Sequence, residues 1–269
     1  MPIGEAFGLK CPEPSQRALP SKLSQLNSNA QVLELLPPIQ FLMIVGIHQP
    51  NFLPWAGYFY KILNSDSFIF LDSVESSKIS YVKRTLFKTT QNEKFLTVPV
   101  GKKSIPINQI LLPSDNEWKI KHLNFLKDNL RDALFFEDYY PEFEDFYIKN
   151  NEELLSRFNI NLIKYLLSKM QIETKTYISS DLKCDTGDRN ERLLNICKYF
   201  GADTYLSGNG AKEYNNEKLF LEHNIEIIYS KFNPNNDLTK YSVLYSIFIN
   251  GYEKTKELLM EKNIKSVSN

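Results

Sequence analysis

Residues 44–59 read IVGIHQPNFLPWAGYF, and they gather the chain's most suggestive side chains into one loop. A buried-strand pattern stops at His48. Gln49, two prolines and Asn51 follow, and Trp55, Gly57 and Tyr58 open a helix. In open α/β sheets, ligands bind beyond the carboxyl ends of the strands, which is where His48, Gln49 and Asn51 are expected. A helix beginning here would aim its free N–H groups and positive dipole end at the same place, which suits phosphate or carboxylate. Spacing alone leaves two readings, a stiff structural turn or the floor of a ligand site.

A second candidate is DSVESSKISYVKR, after the next apolar run. Asp72 ends that strand, and Lys78, Lys83 and Arg84 follow in a polar loop. Adjacent strand ends open onto one crevice, so these cations are candidates to face His48 and hold an anion. A solvated charged loop is the plainer alternative. The third candidate is YLSGNGAKEY, where Ser207, Gly208 and Gly210 follow a strand and Lys212 and Tyr214 come next. Such a loop can turn its amides onto an anion, although it is neither a Walker A nor a dinucleotide fingerprint. Before it, Arg189 and Arg192 fall in a helix's first turn, where cations oppose the dipole unless an anion meets them. His122 and His223 occur singly and read as packing or surface residues. No GxSxG, HExxH or HRD motif occurs.

The elements that must position these residues alternate. MIVGI reads as a strand, PWAGYFYKILN as a helix and DSFIFLDSV as a strand, which makes a parallel βαβ unit. KFLTVPV is a third strand. Helices fill the middle: one from WKIKHLNFLKDNL, with Ser114 and Glu117 at capping-box spacing, and one over about 152–170. Strands TKTYISS, DTYLS and IEIIYSKF follow, with a helix capped by Gly201 between the first two and a last helix from YSVLYSIFINGYEKTKELL. The fold class is α/β, a mostly parallel sheet with helices on both faces and a largely helical middle segment. Residues 1–42, interrupted by Pro12, Pro14, Pro20, Pro37 and Pro38, read as a tail or extension, and 43–269 as the α/β domain.

Composition narrows the function. Lys plus Arg and Asp plus Glu are 32 each, so no net charge draws the chain to nucleic acid or an anionic membrane. No apolar run is long enough to span a bilayer. The three cysteines, Cys11, Cys184 and Cys197, lack metal or disulfide spacing and fit a reducing, cytoplasmic setting. No metal site is expected.

The ordered set IHQPNFLPWAGYF, FLDSV with Lys78 and Arg84, TVPV and RLLNICKYFGADTYLSGNGAKEY resembles the WbqC-like protein family, over about 43–251. Matched residue by residue, the resemblance supports Gln49, Tyr58, Asp72, Lys78, Arg84, Arg192, Ser207, Gly208 and Tyr214 as site positions. It implies a bacterial protein of O-antigen or other surface-polysaccharide biosynthesis. On this reading the chain is a transferase that acylates, with glycine as a candidate group, the amino group of a nucleotide-linked sugar. His48 or Asp72 serves as base. Gln49, Asn51, Tyr58, Lys78, Arg84, Arg192, Tyr214 and the Ser207, Gly208 and Gly210 loop bind substrate. An activated acyl donor is the co-substrate. The alternatives are a nucleotidyl transferase or amide ligase using ATP and Mg²⁺, and a non-catalytic sugar-nucleotide-binding protein.

Overall fold

Val45, Ile47 and the apolar run at 67–70 are buried on both sides because the strands they form lie at the centre of a covered parallel sheet. The computed structural model describes residues 42–77, 80–89, 91–101, 104–232 and 240–260. The tail expected over 1–42, apart from Leu42, lies outside the described residues, and so does Lys78.

Five strands, β1 (Ile44–His48), β2 (Ser67–Phe70), β5 (Lys175–Ile178), β6 (Thr204–Ser207) and β7 (Glu226–Tyr229), form the sheet in the order β5-β2-β1-β6-β7. Every neighbouring pair is parallel. The chain winds outward from β1 through β2 to β5, then returns past β1 to lay down β6 and β7. The direction of winding therefore reverses between β1 and β6, the point where open sheets leave a crevice for ligands.

Alternation along the strands divides the core. Phe68 and Phe70 face a large apolar cluster shared with α1 (Ala56–Leu63), α2 (Glu117–Leu130), α3 (Phe136–Lys149), α4 (Leu155–Lys169) and α7 (Val243–Met260). Val45, Ile47 and Ile69 face the other way, onto Leu193, Leu194, Ile196 and Cys197 of α5 (Arg189–Tyr199) and Phe220 of α6 (Glu217–Leu221). Helices thus cover both faces, and the helical middle segment, α2 to α4, sits in the long connection from β2 to β5.

That connection departs from the sequence expectation in two places. KFLTVPV contains a strand, β4 (Glu93–Thr97), but it pairs antiparallel with β3 (Arg84–Lys88) in a separate two-stranded sheet. The supposed polar loop around Lys83 and Arg84 is therefore the start of a hairpin. Lys83 is buried, with Nζ donating to the Gly101 carbonyl at 3.4 Å. The box expected from Ser114 and Glu117 does not form. Helix α2 begins at Glu117, whose amide donates to Asp115 Oδ1 at 3.0 Å. His122 is a packing residue, as expected: its ring joins Tyr147 Oη at 2.8 Å and the Thr97 carbonyl at 3.0 Å, which ties α2 to α3 and to β4. No described helix is long and apolar enough to cross a membrane.

Candidate functional site

The loop after β1 divides into a part that faces solvent space and a longer part that does not. Residues 50–54 are buried. The amide of Asn159 holds the Pro50 and Val82 carbonyls at 2.9 and 2.8 Å. Thr85 Oγ1 donates to the Leu53 carbonyl at 2.9 Å, and the Val243 amide to that of Pro54 at 2.8 Å. Leu53 is held at φ 39°, a strained conformation that the surrounding contacts impose. Gly57 admits no side chain, since a Cβ there would lie 1.9 Å from the Trp55 ring. Asn51, expected at the ligand floor, is instead 5% exposed, buried within this spine. The first turn of α1 is directed into the same packing, against Ser242 and α7, rather than at a ligand.

His48 and Gln49 remain at the strand end, and they line a cleft of about 740 Å³. Its other walls are Leu71, Ser73, Val74 and Glu75 after β2, Tyr205 and Asn215 from the β6 side, and Gly187, Asp188, Arg189, Arg192 and Leu193 at the head of α5. This is the crevice beside the switch between β1 and β6. The β1–β6 ladder ends at Gly46 and Leu206, whereas β1–β2 continues to His48 and Phe70, so the strands part at this point.

The His48 Nδ1 is 3.1 Å from the Gln49 carbonyl. A carbonyl can only accept, so Nδ1 carries the proton and Nε2 keeps its lone pair. Burial and the nearby Lys61 cation push the imidazole pKa down to about 3, so the ring is neutral. The Tyr58 hydroxyl donates to the same carbonyl at 3.0 Å. Tyr58 is 1% exposed and does not line the cleft, so it acts on His48 and Gln49 from behind.

The helix whose N-terminus meets the cleft is α5. Asp188 caps it by accepting from the Asn190 and Glu191 amides, and the Asp188 amide in turn donates to Glu191 Oε2 at 3.1 Å. This D-x-x-E box was visible in the sequence but was overshadowed by the two arginines. Gly187, at φ +98°, supplies the turn into it. Arg192 lines the cleft with partners of its own: Nε is 3.2 Å from Asp185 Oδ1, and the guanidinium donates to Ser73 Oγ at 3.3 Å and the Gly187 carbonyl at 3.2 Å. The Asp185 contact is one of charge, without hydrogen-bond alignment. Arg189 also lines the cleft, its guanidinium 4.8 Å from the centre of the exposed Tyr214 ring.

Asp72 is fully buried beside the cleft and turned away from it. Its carboxylate accepts from the Ser180 amide and hydroxyl at 3.0 and 2.9 Å and from Ser179 Oγ at 3.2 Å. Burial raises its pKa, and those bonds partly offset the rise. Ser179 spends its one proton on Asp72, so in its 3.3 Å contact with Ser73 Oγ it accepts, and Ser73 in turn receives Arg192. Asp72 thus sits at one end of a polar chain that orients Arg192.

The remaining candidates divide in the same way. Arg84 does not line the cleft; its guanidinium stacks 4.1 Å over Phe95 on the hairpin. Ser207 is buried at the end of β6 and accepts from Asn215 Nδ2 at 3.0 Å. Gly208 and Gly210 have ordinary φ and open space around them, so neither is required by backbone geometry. The Ala211 and Lys212 amides are used within a 3₁₀ turn.

Sequence reasoning missed Asn215 and Lys61. Lys61, on α1, is 3% exposed and donates to the Ile47 carbonyl at 2.6 Å, where β1 loses its β6 partner. It has no carboxylate partner among the described residues, and burial lowers its pKa to about 7. An isolated Lys in an amphipathic helix carries no signal that its tip will be buried. Among the described residues, no group of three or more His, Cys, Asp or Glu side chains is placed to hold a metal ion.

The sheet and its cleft define a doubly wound α/β protein with a polar cleft at the switch point. The chain belongs to the WbqC-like protein family, which matches residues 49–253, beginning one residue after His48. It is 30% identical over 196 residues to the uncharacterized protein Rv1507c of Mycobacterium tuberculosis, covering 72% of this chain and 84% of that one. No solved structure shows a significant match.

Proposed function

We propose that the protein is a transferase of bacterial surface-glycan biosynthesis that acylates the amino group of a nucleotide-linked sugar. The observation that carries this reading is that a neutral His48 and the arginines at the head of α5 line one cleft. The phosphates lie against Arg189, Arg192 and the α5 dipole, where charge-assisted bonds are strong. The sugar amine then lies towards His48. The amine nitrogen attacks the carbonyl carbon of an activated acyl donor and forms the amide bond. The bond to the donor's leaving group breaks, and its electron pair departs with that group. His48 Nε2 takes the proton released by the amine and passes it to the leaving group. His48 is by itself a weak base, and a bound anion raises its pKa.

The test is mass-spectrometric detection of an N-acylated sugar nucleotide from a panel of UDP-, dTDP- and GDP-amino sugars with activated glycyl and acetyl donors. Product that disappears in His48→Ala and Arg189→Ala supports the reading. Product that forms only with ATP and Mg²⁺ would favour an amide ligase, and binding without turnover a sugar-nucleotide-binding protein.

A further inference from the structure

The β6–β7 end of the cleft contains an acceptor that the protein leaves unused. Asn215 lines the cleft, and its Oδ1 is buried with no partner. The orientation of the amide follows from its neighbours. Tyr229 Oη donates to Glu217 Oε1 at 2.9 Å, so towards Asn215 it acts as an acceptor, 3.5 Å from Nδ2. Ser207 Oγ accepts the second Nδ2 proton at 3.0 Å. With both protons engaged, the carboxamide offers only Oδ1, and a buried acceptor without a donor is costly.

The segment that carries Asn215 is fixed on either side. Asn190 Nδ2 donates to the Tyr214 carbonyl at 3.3 Å, and Asn190 Oδ1 accepts the Asn216 amide at 3.0 Å. One residue of α5's first turn therefore clamps 214 and 216 and presents 215 to the cleft. Beside it, the Arg189 guanidinium lies over the Tyr214 ring, 4.8 Å from its centre, which leaves two planar groups at the rim. Planar faces stack on a planar ligand, and a fixed acceptor selects a donor.

We infer that this end of the cleft is the nucleoside subsite, where Asn215 Oδ1 accepts a hydrogen bond from the ligand's base N–H or ribose hydroxyl. The inference rests on the cleft being the nucleotide-sugar site proposed above, and it adds the group that separates a nucleotide from a bare diphosphate. Sites built to receive a donor reject analogues that lack it.

The experiment is isothermal titration of the full chain with pyrophosphate and with UDP, ADP, GDP and CDP. The tightest nucleotide is then compared with its 2′-deoxy and base-N-methylated counterparts, against wild type and Asn215→Leu. At least one nucleotide should bind tenfold or more tighter than pyrophosphate. Asn215→Leu should lose that advantage while its affinity for pyrophosphate stays within twofold. One ligand analogue should lose as much as the variant and lose nothing further in it, which identifies the base or the ribose as the donor. The pyrophosphate arm reports whether Asn215→Leu still forms the site. Nucleotides no tighter than pyrophosphate, or an Asn215→Leu variant that binds them normally, would overturn the inference and leave the anion site standing. No binding of either class would overturn the site reading as well.

Discussion

His48 and Tyr58 donate to one and the same oxygen, the Gln49 carbonyl, from 3.1 and 3.0 Å, and their rings meet edge-on with centroids 5.0 Å apart. The carbonyl of a cleft residue thus fixes the tautomer of one ring and is itself fixed by the other. Removing the hydroxyl in Tyr58→Phe leaves a buried acceptor with one donor fewer. The expected loss is about 1 kcal/mol of stability, the usual net value of such a bond. Affinity for the cleft ligand should fall as well, because Gln49 is no longer held. Urea unfolding and titration together check this, and an unchanged midpoint would show that the shared carbonyl contributes nothing.

Gly187→Ala should damage the head of α5. The residue sits at φ +98°, and an added Cβ would lie 2.8 Å from that of Glu191, the second member of the capping box. Strain and loss of the box together should cost more than about 1 kcal/mol. Arg192, which donates to the Gly187 carbonyl, should lose its alignment in the cleft. Thermal melting measures the first effect and diphosphate titration the second. A variant as stable as the wild type would show that the turn tolerates a side chain.

The sheet was largely legible because its signals are local. Buried runs such as 44–48 and 67–70, the positive-φ Gly201 and the strand–helix alternation each mark themselves within a few residues. The cleft's lining was legible at His48, Gln49, Arg189 and Arg192, which sit at a strand end or on a helix head. Asn51 and Arg84 share that polar appearance, yet Asn51 is buried in the loop's packing and Arg84 stacks on the hairpin. The difference is set by Asn159, Phe95 and other residues remote in sequence, and periodicity carries no information about those partners. Lys61 was invisible for the same reason. Its burial depends on where β1 and β6 part.

Acid should unfold the protein partly through His122. Burial holds its folded pKa near 4, below the ordinary 6.5, so the folded state favours the neutral ring. That contribution is complete above pH 6.5 and is lost as pH falls towards 4. His122→Gln keeps hydrogen-bonding atoms without the titration. Over pH 6.5–4.5 its stability should fall less steeply than that of the wild type, by up to one proton, or about 1.4 kcal/mol per pH unit. Urea unfolding across that range gives the two slopes. His48, held down to about 3, titrates in both proteins and cancels in the comparison. Parallel slopes would mean that His122 is protonated without penalty.

Lys61 should act at the opposite end of the pH scale. Its folded pKa is near 7 and its unfolded value near 10.5, so between those limits the unfolded chain holds a proton that the folded protein has released. Stability must then rise with pH through this window, whereas below pH 7 the full cost of burying the ammonium remains. Cys197 opposes the trend from about pH 9 upward, because burial pushes its thiol to about 12 and the unfolded thiol ionises first. The clean interval is therefore pH 7–8.5. Replacing Lys61 with Met removes the titration and keeps the apolar stem, at the expense of the Ile47 carbonyl's donor. Across that interval the wild type should gain on Lys61→Met by as much as about 1.4 kcal/mol per pH unit. Urea unfolding of both proteins at pH 7.0, 7.5, 8.0 and 8.5 measures the gain. A constant difference would show that the ammonium stays protonated at the junction of β1 and β6, with its charge met by a group other than the Ile47 carbonyl.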